Sequence, residues 1–187
     1  PPPRGGAVSA LVEAVQAAVG GHVLAVVPGF GPVTVDVAPE AWHPAVAAAA
    51  AAGATYADFL TAYDELDLGF AVVAHLSMRD ASDHLLLRTR VPRDRPEVAT
   101  VVDLHRGLAW HERATHEMFG IGFVGNDDLT PLRTQPALGA HPLRKDFVLA
   151  ARVARPWPGE KDPAGDTGRA RRRTLPPGVP EGWGEQA

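Results

Sequence analysis

The sequence contains no cysteine, and this absence removes several classes of chemistry at once. Disulfides, thiolate zinc sites, iron–sulfur ligation and a cysteine nucleophile are excluded within these 187 residues. Long apolar runs are also missing: the longest, residues 45–52, has 8 residues, whereas a membrane-spanning helix needs about 20. Because 18 Lys and Arg stand against 22 Asp and Glu, no global positive field favours nucleic acid. No basic segment precedes an apolar stretch, so we expect no signal peptide.

Glycine and proline are unevenly distributed along the chain. They make up 12 of the last 37 residues but only 25 of the first 150. A segment of that composition has little prospect of packing on itself, so residues 151–187 are predicted to form a tail. The tail contains an arginine run that is either a solvated charge run or a contact for an acidic surface or anionic head groups: Arg169, Arg171, Arg172 and Arg173.

The hydrophobic pattern predicts an α+β domain. Helices are expected over residues 7–19, 39–53 and 97–118, the last from apolar residues that recur at helical spacing. Strands are expected over five segments: residues 22–27, 32–37, 56–63, 69–77 and 83–91. This order predicts a ferredoxin-like sandwich over residues 1–120, a mainly antiparallel sheet with helices on one face, followed by an irregular C-terminal arm over residues 121–187.

Residues 120–125, Gly-Ile-Gly-Phe-Val-Gly, match the G-x-G-x-x-G pattern of dinucleotide-binding loops, and Asp146 lies 21 residues beyond the last glycine. That mechanism requires a strand before the loop and a helix N-terminus after it. Here a helix is predicted before the loop and a polar segment after it. We therefore favour glycines that end a helix and turn the chain.

Three histidines and one glutamate in the last predicted helix raise the possibility of a metal site. His111 and His116 resemble the H-E-x-x-H zinc-protease motif, but their spacing of five residues places them about 140° apart around a helix. His105, Glu112 and His116 share one stripe that spans about 16 Å, which is too long for one ion. The favoured interpretation is a polar stripe that faces solvent or an interface.

Residues 141–147, His-Pro-Leu-Arg-Lys-Asp-Phe, form the densest group of polar and aromatic side chains in the arm. Proline keeps His141 extended, and Arg144 offers a planar fork for a carboxylate or for backbone carbonyls. Arg and aromatic side chains concentrate in protein interfaces. We therefore predict a recognition loop within residues 121–150.

Two blocks of this sequence resemble the 30 kDa subunit family of NADH:quinone oxidoreductase, which is respiratory complex I. The first is similar to W-x-E-R-E-x-x-D-M-F-G-I-x-F-x-G-H-x-D-L, and the second to G-H-P-L-R-K-D-[YF]. The residues that carry the resemblance are Trp110 to Arg113, Met118 to Phe123, Gly125, Asp128, Leu129 and His141 to Phe147. The resemblance covers roughly residues 30–150.

The sequence departs from the family pattern at several positions in these blocks. Alanine, histidine and glutamate stand at Ala114, His116 and Glu117, where the family usually has Glu, an aromatic residue and Asp. Further differences occur at residues 126–127, at residues 130–131 and at Ala140. The departures leave open a diverged complex I or a related ferredoxin- or hydrogenase-linked membrane complex.

The resemblance implies an accessory subunit with no cofactor, metal or catalytic residue of its own, in a proton-translocating complex that uses NADH and quinone. It implies a peripheral position on the cytoplasmic side of the cell membrane, docked on the hydrogenase-like large (49 kDa-type) subunit near the quinone site, with the C-terminal segment extending over that partner. The implied interface residues are Trp110, Glu112, Arg113, Phe119, Asp128, His141, Arg144, Lys145, Asp146 and Phe147. A free-standing protein-binding module is the alternative.

Overall fold

The computed structural model describes residues 9–135 and 138–148, so the predicted tail with its arginine run lies outside the described residues. The regular elements, in chain order, are α1 (Ala10–Val19), β1 (Val23–Val27), β2 (Val33–Val37), α2 (Trp42–Ala51), β3 (Tyr56–Asp64), β4 (Phe70–Ser77), β5 (His84–Val91), β6 (Glu97–Ala99), α3 (Ala109–Phe119) and β7 (Gly122–Val124). Short 3-10 turns precede β1, α2, β4 and α3.

Five strands form the main sheet in the order β1-β2-β5-β4-β3. The β2–β5 pair is parallel, and the other three pairs are antiparallel. The predicted α+β class with a mainly antiparallel sheet is therefore confirmed. The ferredoxin-like βαββαβ unit has its second helix between its third and fourth strands. In this chain the corresponding strands, β4 and β5, are joined by a turn instead.

One face of the sheet carries the hydrophobic core, because alternate residues of each strand point to the same side. The helices α1 and α2 pack on this face, and α3 packs along β3. The core includes Val35, Val37, Leu60, Val72, Leu85 and Leu87 from the sheet, and Leu11, Val15, Trp42, Val46 and Phe119 from the helices. The opposite face is polar: Arg88 contacts Asp36, and Arg90 contacts Glu65.

The helix predicted over residues 97–118 begins only at Ala109, so the first half of that prediction is wrong. Residues 97–99 instead form β6, which pairs in parallel with β7. Val98 and Val101 are buried at a spacing that also fits a helix, but they lie in a strand and in the turn after it. The β-branched residues of this segment favour an extended backbone, which accounts for the difference.

The predicted boundary after Gly120 falls within the hydrophobic core. Ile121 and Phe123 are buried, and residues 122–124 form β7 rather than the start of an irregular arm. The later described segments, residues 125–135 and 138–148, contain no helix longer than a turn and no strand. Among the described residues, none of the helices combines the length and apolar character that a bilayer span requires.

Candidate partner interface around helix α3

The two sequence blocks meet at the C-terminal end of α3. The last four carbonyl groups of a helix have no partner within the helix. Here the His116 carbonyl accepts from the Gly120 N–H at 2.7 Å, and the Glu117 carbonyl from His141 Nδ1 at 2.9 Å. The next two carbonyls accept from the Leu143 N–H at 3.1 Å and from Arg144 Nε at 2.6 Å. The loop that begins at His141 is therefore a cap for the helix.

Arg144 adds electrostatic and packing contributions at this helix end. A cation near a helix C-terminus is favoured by the helix dipole. The guanidinium carbon of Arg144 lies 5.2 Å from the ring centroid of the buried Phe70, and that of Arg93 lies 4.8 Å from the same centroid. Phe70 also contacts Phe119 edge to face, with centroids 6.2 Å apart. The arginine thus joins the loop to the sheet as well as to the helix.

Gly120 makes this close packing possible. Its φ is +72°, in the left-handed region that favours glycine. A Cβ at this position would lie 2.4 Å from Arg144 Nη2 and 2.5 Å from His141 Nε2. The backbone conformation therefore favours glycine here, and a Cβ would displace both side chains.

Asp64 at the end of β3 fixes the next part of the loop. Its carboxylate accepts from the Lys145 N–H at 2.9 Å and the Leu66 N–H at 2.7 Å, and it pairs with Arg93. Burial alone raises the pKa of Asp64, but Arg93 and the two backbone N–H groups lower it to about 2. Arg93 also reaches the exposed Asp146 at 3.4 Å.

Glu112 is fully buried and organises the other end of α3. Its carboxylate accepts from the Val101 N–H at 2.8 Å, from the Thr100 hydroxyl at 2.7 Å and from Asn126 Nδ2 at 2.8 Å. Burial raises the pKa of Glu112, and these three hydrogen bonds oppose that effect. The side chain therefore joins the turn after β6 to the loop after β7.

Two further residues of α3 hold the loop over residues 126–134. Arg113 donates to the Thr130 carbonyl at 3.0 Å and pairs with Asp128 at 3.2 Å. Glu117 accepts from the N–H groups of Leu132, Arg133 and Thr134. Burial opposes its ionisation, but the Thr134 hydroxyl and these N–H groups lower the pKa of Glu117 to about 2.

Glu117 is absent from the predicted site. The sequence signal that could have found it is its place in the first block, where the family usually has Asp.

The patterns that resemble metal and nucleotide sites, neither of which the sequence analysis favoured, have other roles in the structure. His116 Nδ1 donates to the Ile121 carbonyl at 2.9 Å, and burial lowers the pKa of His105. In the described part of the chain, no three His, Asp or Glu side chains are arranged to hold a metal ion. Gly120 ends α3 and Gly122 begins β7, so the glycine pattern turns the chain from helix to strand.

The predicted interface residues divide according to their exposure. Glu112 and Phe119 are buried within the chain, where they contact its own residues. Four others are half-buried: Arg113, His141, Arg144 and Phe147. The remaining four are exposed: Trp110, Asp128, Lys145 and Asp146. A direct partner contact by any of these eight stays a prediction.

The outward surface of this region is grooved and combines apolar with basic side chains. Trp110 is 67% exposed, and its ring lies 5.7 Å from the guanidinium carbon of Arg113. Leu143 and Val148 are also exposed. Two adjoining grooves run beside α3 and share His111, Ala114 and Arg133, one reaching Trp110 and the other Leu143 and the β3 residues Phe59 and Thr61. We define Trp110, His111, Ala114, Arg133 and Leu143 as the α3 surface.

Comparison with known proteins relates this region to one family. The family model that describes the 30 Kd subunit of respiratory-chain NADH dehydrogenase matches residues 35–153. The C subunit of F(420)H(2) dehydrogenase from Methanosarcina mazei is 40% identical over 85 residues, which are 45% of this chain and 51% of that protein. The C subunit of NADH-quinone oxidoreductase from Thiobacillus denitrificans is also 40% identical over 85 residues, or 45% of this chain and 42% of that protein. The chain thus spans about half the length of these curated relatives or less.

Two solved structures share the fold. A trypsin-resistant fragment (1-134) of Nqo5 is 27% identical with a TM-score of 0.55, covering 64% of this chain and 96% of the fragment. A chain of the archaeal membrane-bound sulfane sulfur reductase has a TM-score of 0.65 at 24% identity, covering 75% of this chain and 85% of that chain. The second likeness concerns the fold alone.

Proposed function

The chain belongs to the respiratory-chain NADH dehydrogenase 30 kDa subunit family, and we propose that it is an accessory subunit of a membrane-bound, proton-translocating oxidoreductase complex of the complex I type. The observation that carries this proposal is the family match over residues 35–153, which contains both sequence blocks. The contacts between the two blocks also support the proposal. The second block caps the helix that contains the first, so the two blocks that resemble the family form one structural unit.

In this proposal the subunit has an assembly role and the complex performs the chemistry. NADH is oxidised and quinone is reduced by other subunits, and this chain binds neither. Its buried carboxylates, Glu112, Glu117 and Asp64, serve to hold the loops over α3 rather than to transfer protons to a substrate. The fold thus presents a rigid surface, which lowers the cost of ordering side chains when a partner binds.

The proposed partner is the hydrogenase-like large subunit, near the quinone site and on the cytoplasmic side of the membrane. The α3 surface supports a docking role, since it combines an exposed tryptophan, an exposed leucine and an arginine around a groove. Trp and Arg are enriched among the side chains that contribute most to binding. Trp110 is the proposed central contact because it is a large exposed aromatic side chain, and the Arg113 guanidinium 5.7 Å from its ring favours one orientation.

A second candidate function differs only in the electron donor. The relative from Methanosarcina mazei belongs to an F(420)H(2) dehydrogenase, and it is as similar to this chain as the NADH-quinone oxidoreductase relatives. This similarity supports the hypothesis that the chain is the equivalent subunit of a complex that accepts electrons from another donor. The two candidates are distinguished by which electron-input subunits accompany the chain in the purified complex.

The experiment is site-specific crosslinking in membranes. The substitution Trp110→p-benzoylphenylalanine places a photoreactive group on the α3 surface, and Tyr56→p-benzoylphenylalanine places one on an exposed position at the start of β3 as a control. We expect the first variant to crosslink to the large subunit in solubilised membranes. Recovery of the chain as a free soluble protein, with no adduct at position 110, would favour the free-standing module.

A further inference from the structure

A group of polar side chains on the open face of the sheet has no part in the α3 surface. It lies where β3, β4 and β5 run side by side, and its members are Asp58, His75 and His84. His75 Nδ1 lies 3.2 Å from Asp58 Oδ2, and His75 Nε2 lies 3.3 Å from His84 Nδ1. The group is thus a chain of contacts from a carboxylate through one imidazole to a second imidazole.

The distance between the two imidazole nitrogens fits a shared ligand. Nitrogens that bind one tetrahedral ion at about 2.0–2.1 Å lie about 3.3 Å apart. Because Asp58 accepts a hydrogen bond from Nδ1 of His75, the proton of the neutral ring is on Nδ1 and the lone pair of Nε2 faces His84. Without an ion, His84 Nδ1 donates its proton to this lone pair. The other neutral tautomer of His84, with its proton on Nε2, presents a second lone pair for an ion. A carboxylate in this position orients a ligand histidine and raises its basicity.

The backbone is shaped to hold His75 in this arrangement. The β3–β4 pairing shifts register between Ala57 and Phe59, which is a bulge in β3. In a bulge two residues of one strand oppose one residue of the other, and this redirects side chains. Here Phe59 stacks on the His75 ring with centroids 5.7 Å apart, while Asp58 reaches its Nδ1. The extra residue in the bulge is Asp58, and Phe59 is the cross-strand partner of His75.

Both imidazole side chains reach the surface. The His75 side chain is 18% exposed, and His84 is exposed. The nearby Asp83 carboxylate is engaged by the Ser9 hydroxyl at 2.8 Å and the Leu11 N–H at 3.1 Å, so it does not compete for the imidazoles. Solvent can therefore supply the remaining ligands of an ion held by two protein nitrogens.

We propose that His75 Nε2 and His84 Nδ1 form a two-histidine site for a divalent first-row transition metal, with Asp58 holding the His75 ring. Imidazole ligands suit Zn²⁺, Ni²⁺ and Cu²⁺, whereas Mg²⁺ and Ca²⁺ prefer oxygen. The bound ion links β4 to β5 directly and β3 through Asp58, and so strengthens the sheet near its β3 edge. This inference is independent of the proposed subunit function.

The test is a calorimetric titration of the full chain with Zn²⁺, after removal of any affinity tag and of residual metal. We expect one binding event that weakens at least tenfold in His75→Ala and in His84→Ala, and about tenfold in Asp58→Asn. His43→Ala is the matched control, because His43 also contacts a carboxylate, Asp103 at 2.9 Å, and should leave the affinity unchanged.

His84 is exposed, so His84→Ala should fold even if His75→Ala does not, and it then serves as the test variant. Zn²⁺ should raise the melting temperature of the parent chain but not that of His84→Ala, and Mg²⁺ should raise neither. Equal Zn²⁺ affinity in the parent and in His84→Ala overturns the proposal, as does the absence of binding at millimolar Zn²⁺.

Discussion

Arg144 Nε donates a hydrogen bond to the Phe119 carbonyl at 2.6 Å, across 25 residues of sequence. This contact closes the end of α3 with the loop that sequence reasoning assigns to a partner. The most specific residues of the chain therefore stabilise its own fold first. The surface that we propose for a partner is the neighbouring α3 surface, with the exposed Trp110 ring and its groove.

Alanine at Gly120 should destabilise the chain by more than the backbone cost alone. Gly139 has a left-handed φ of +55° with no described atom near its Cβ position, so Gly139→Ala isolates a backbone cost of about 1 kcal/mol. Gly120→Ala adds the displacement of His141 and Arg144, for a total of about 2 kcal/mol or more. Urea denaturation measures the free energy of unfolding of both variants. Equal losses of stability would show that the approach of His141 and Arg144 to Gly120 is unimportant.

Removal of the Arg144 side chain should weaken the isolated chain, without any partner present. Arg144→Ala loses a hydrogen bond from a charged donor and leaves the Phe119 carbonyl without it, which costs about 2 kcal/mol. Lys145→Ala is the control, because Lys145 contributes its backbone N–H to Asp64 while its side chain is exposed. If Arg144→Ala unfolds at the urea midpoint of the parent chain, the arginine has no capping role.

Glu117 should give the chain stability that is lost in acid. Its folded pKa of about 2 is below its ordinary value of 4.5, so its contribution is present above pH 4.5 and declines as the pH falls towards 2. Glu117→Gln should cost about 2 kcal/mol at pH 7, since the amide replaces a charged acceptor of the Leu132, Arg133 and Thr134 N–H groups. The difference from the parent chain in urea midpoint should narrow below pH 4. A constant difference across this range would contradict the role given to Glu117.

Glu112 should give the opposite dependence on pH. Burial raises its folded pKa above the ordinary 4.5, so the stability that its protonated form supplies is present below pH 4.5 and is lost as the pH rises through the folded value. The glutamine in Glu112→Gln carries no charge at any pH. The free energy of unfolding of this variant should therefore decline less than that of the parent chain as the pH rises from 4 upwards. Urea midpoints measured at intervals of pH check this, and a steeper decline in the variant would exclude it.

The sequence predicts the sheet well because its strands carry local signals. The five main strands and the first two helices lie close to their predicted positions, since alternation, β-branched residues and Gly or Pro at the ends act within a few residues. The segment over residues 97–108 is different. Its apolar spacing fits a helix. The β-branched residues favour an extended backbone, and the parallel pairing of β6 with β7, more than 20 residues away, adds to that preference.

The sequence predicts the location of the candidate site but not its detail. The blocks around α3 and after His141 stand out in the sequence, but the inward direction of Glu112 depends on Thr100 and Asn126, which converge only in the folded chain. The capping role of Arg144 likewise depends on the return of the loop to α3. Residue types indicate what a side chain can bind, and tertiary packing decides which partner it meets.

Docking of this subunit through the α3 surface is best tested by co-purification. The full chain, tagged at its N-terminus, is isolated from solubilised membranes alongside the single variants Trp110→Ala and Tyr56→Ala, and the accompanying subunits are quantified by mass spectrometry. We predict that the parent chain and Tyr56→Ala recover the large subunit equally and that Trp110→Ala recovers at least tenfold less, which corresponds to about 1.4 kcal/mol of binding energy. Equal recovery by all three chains, or recovery of the parent chain alone, would show that the α3 surface does not dock on that partner.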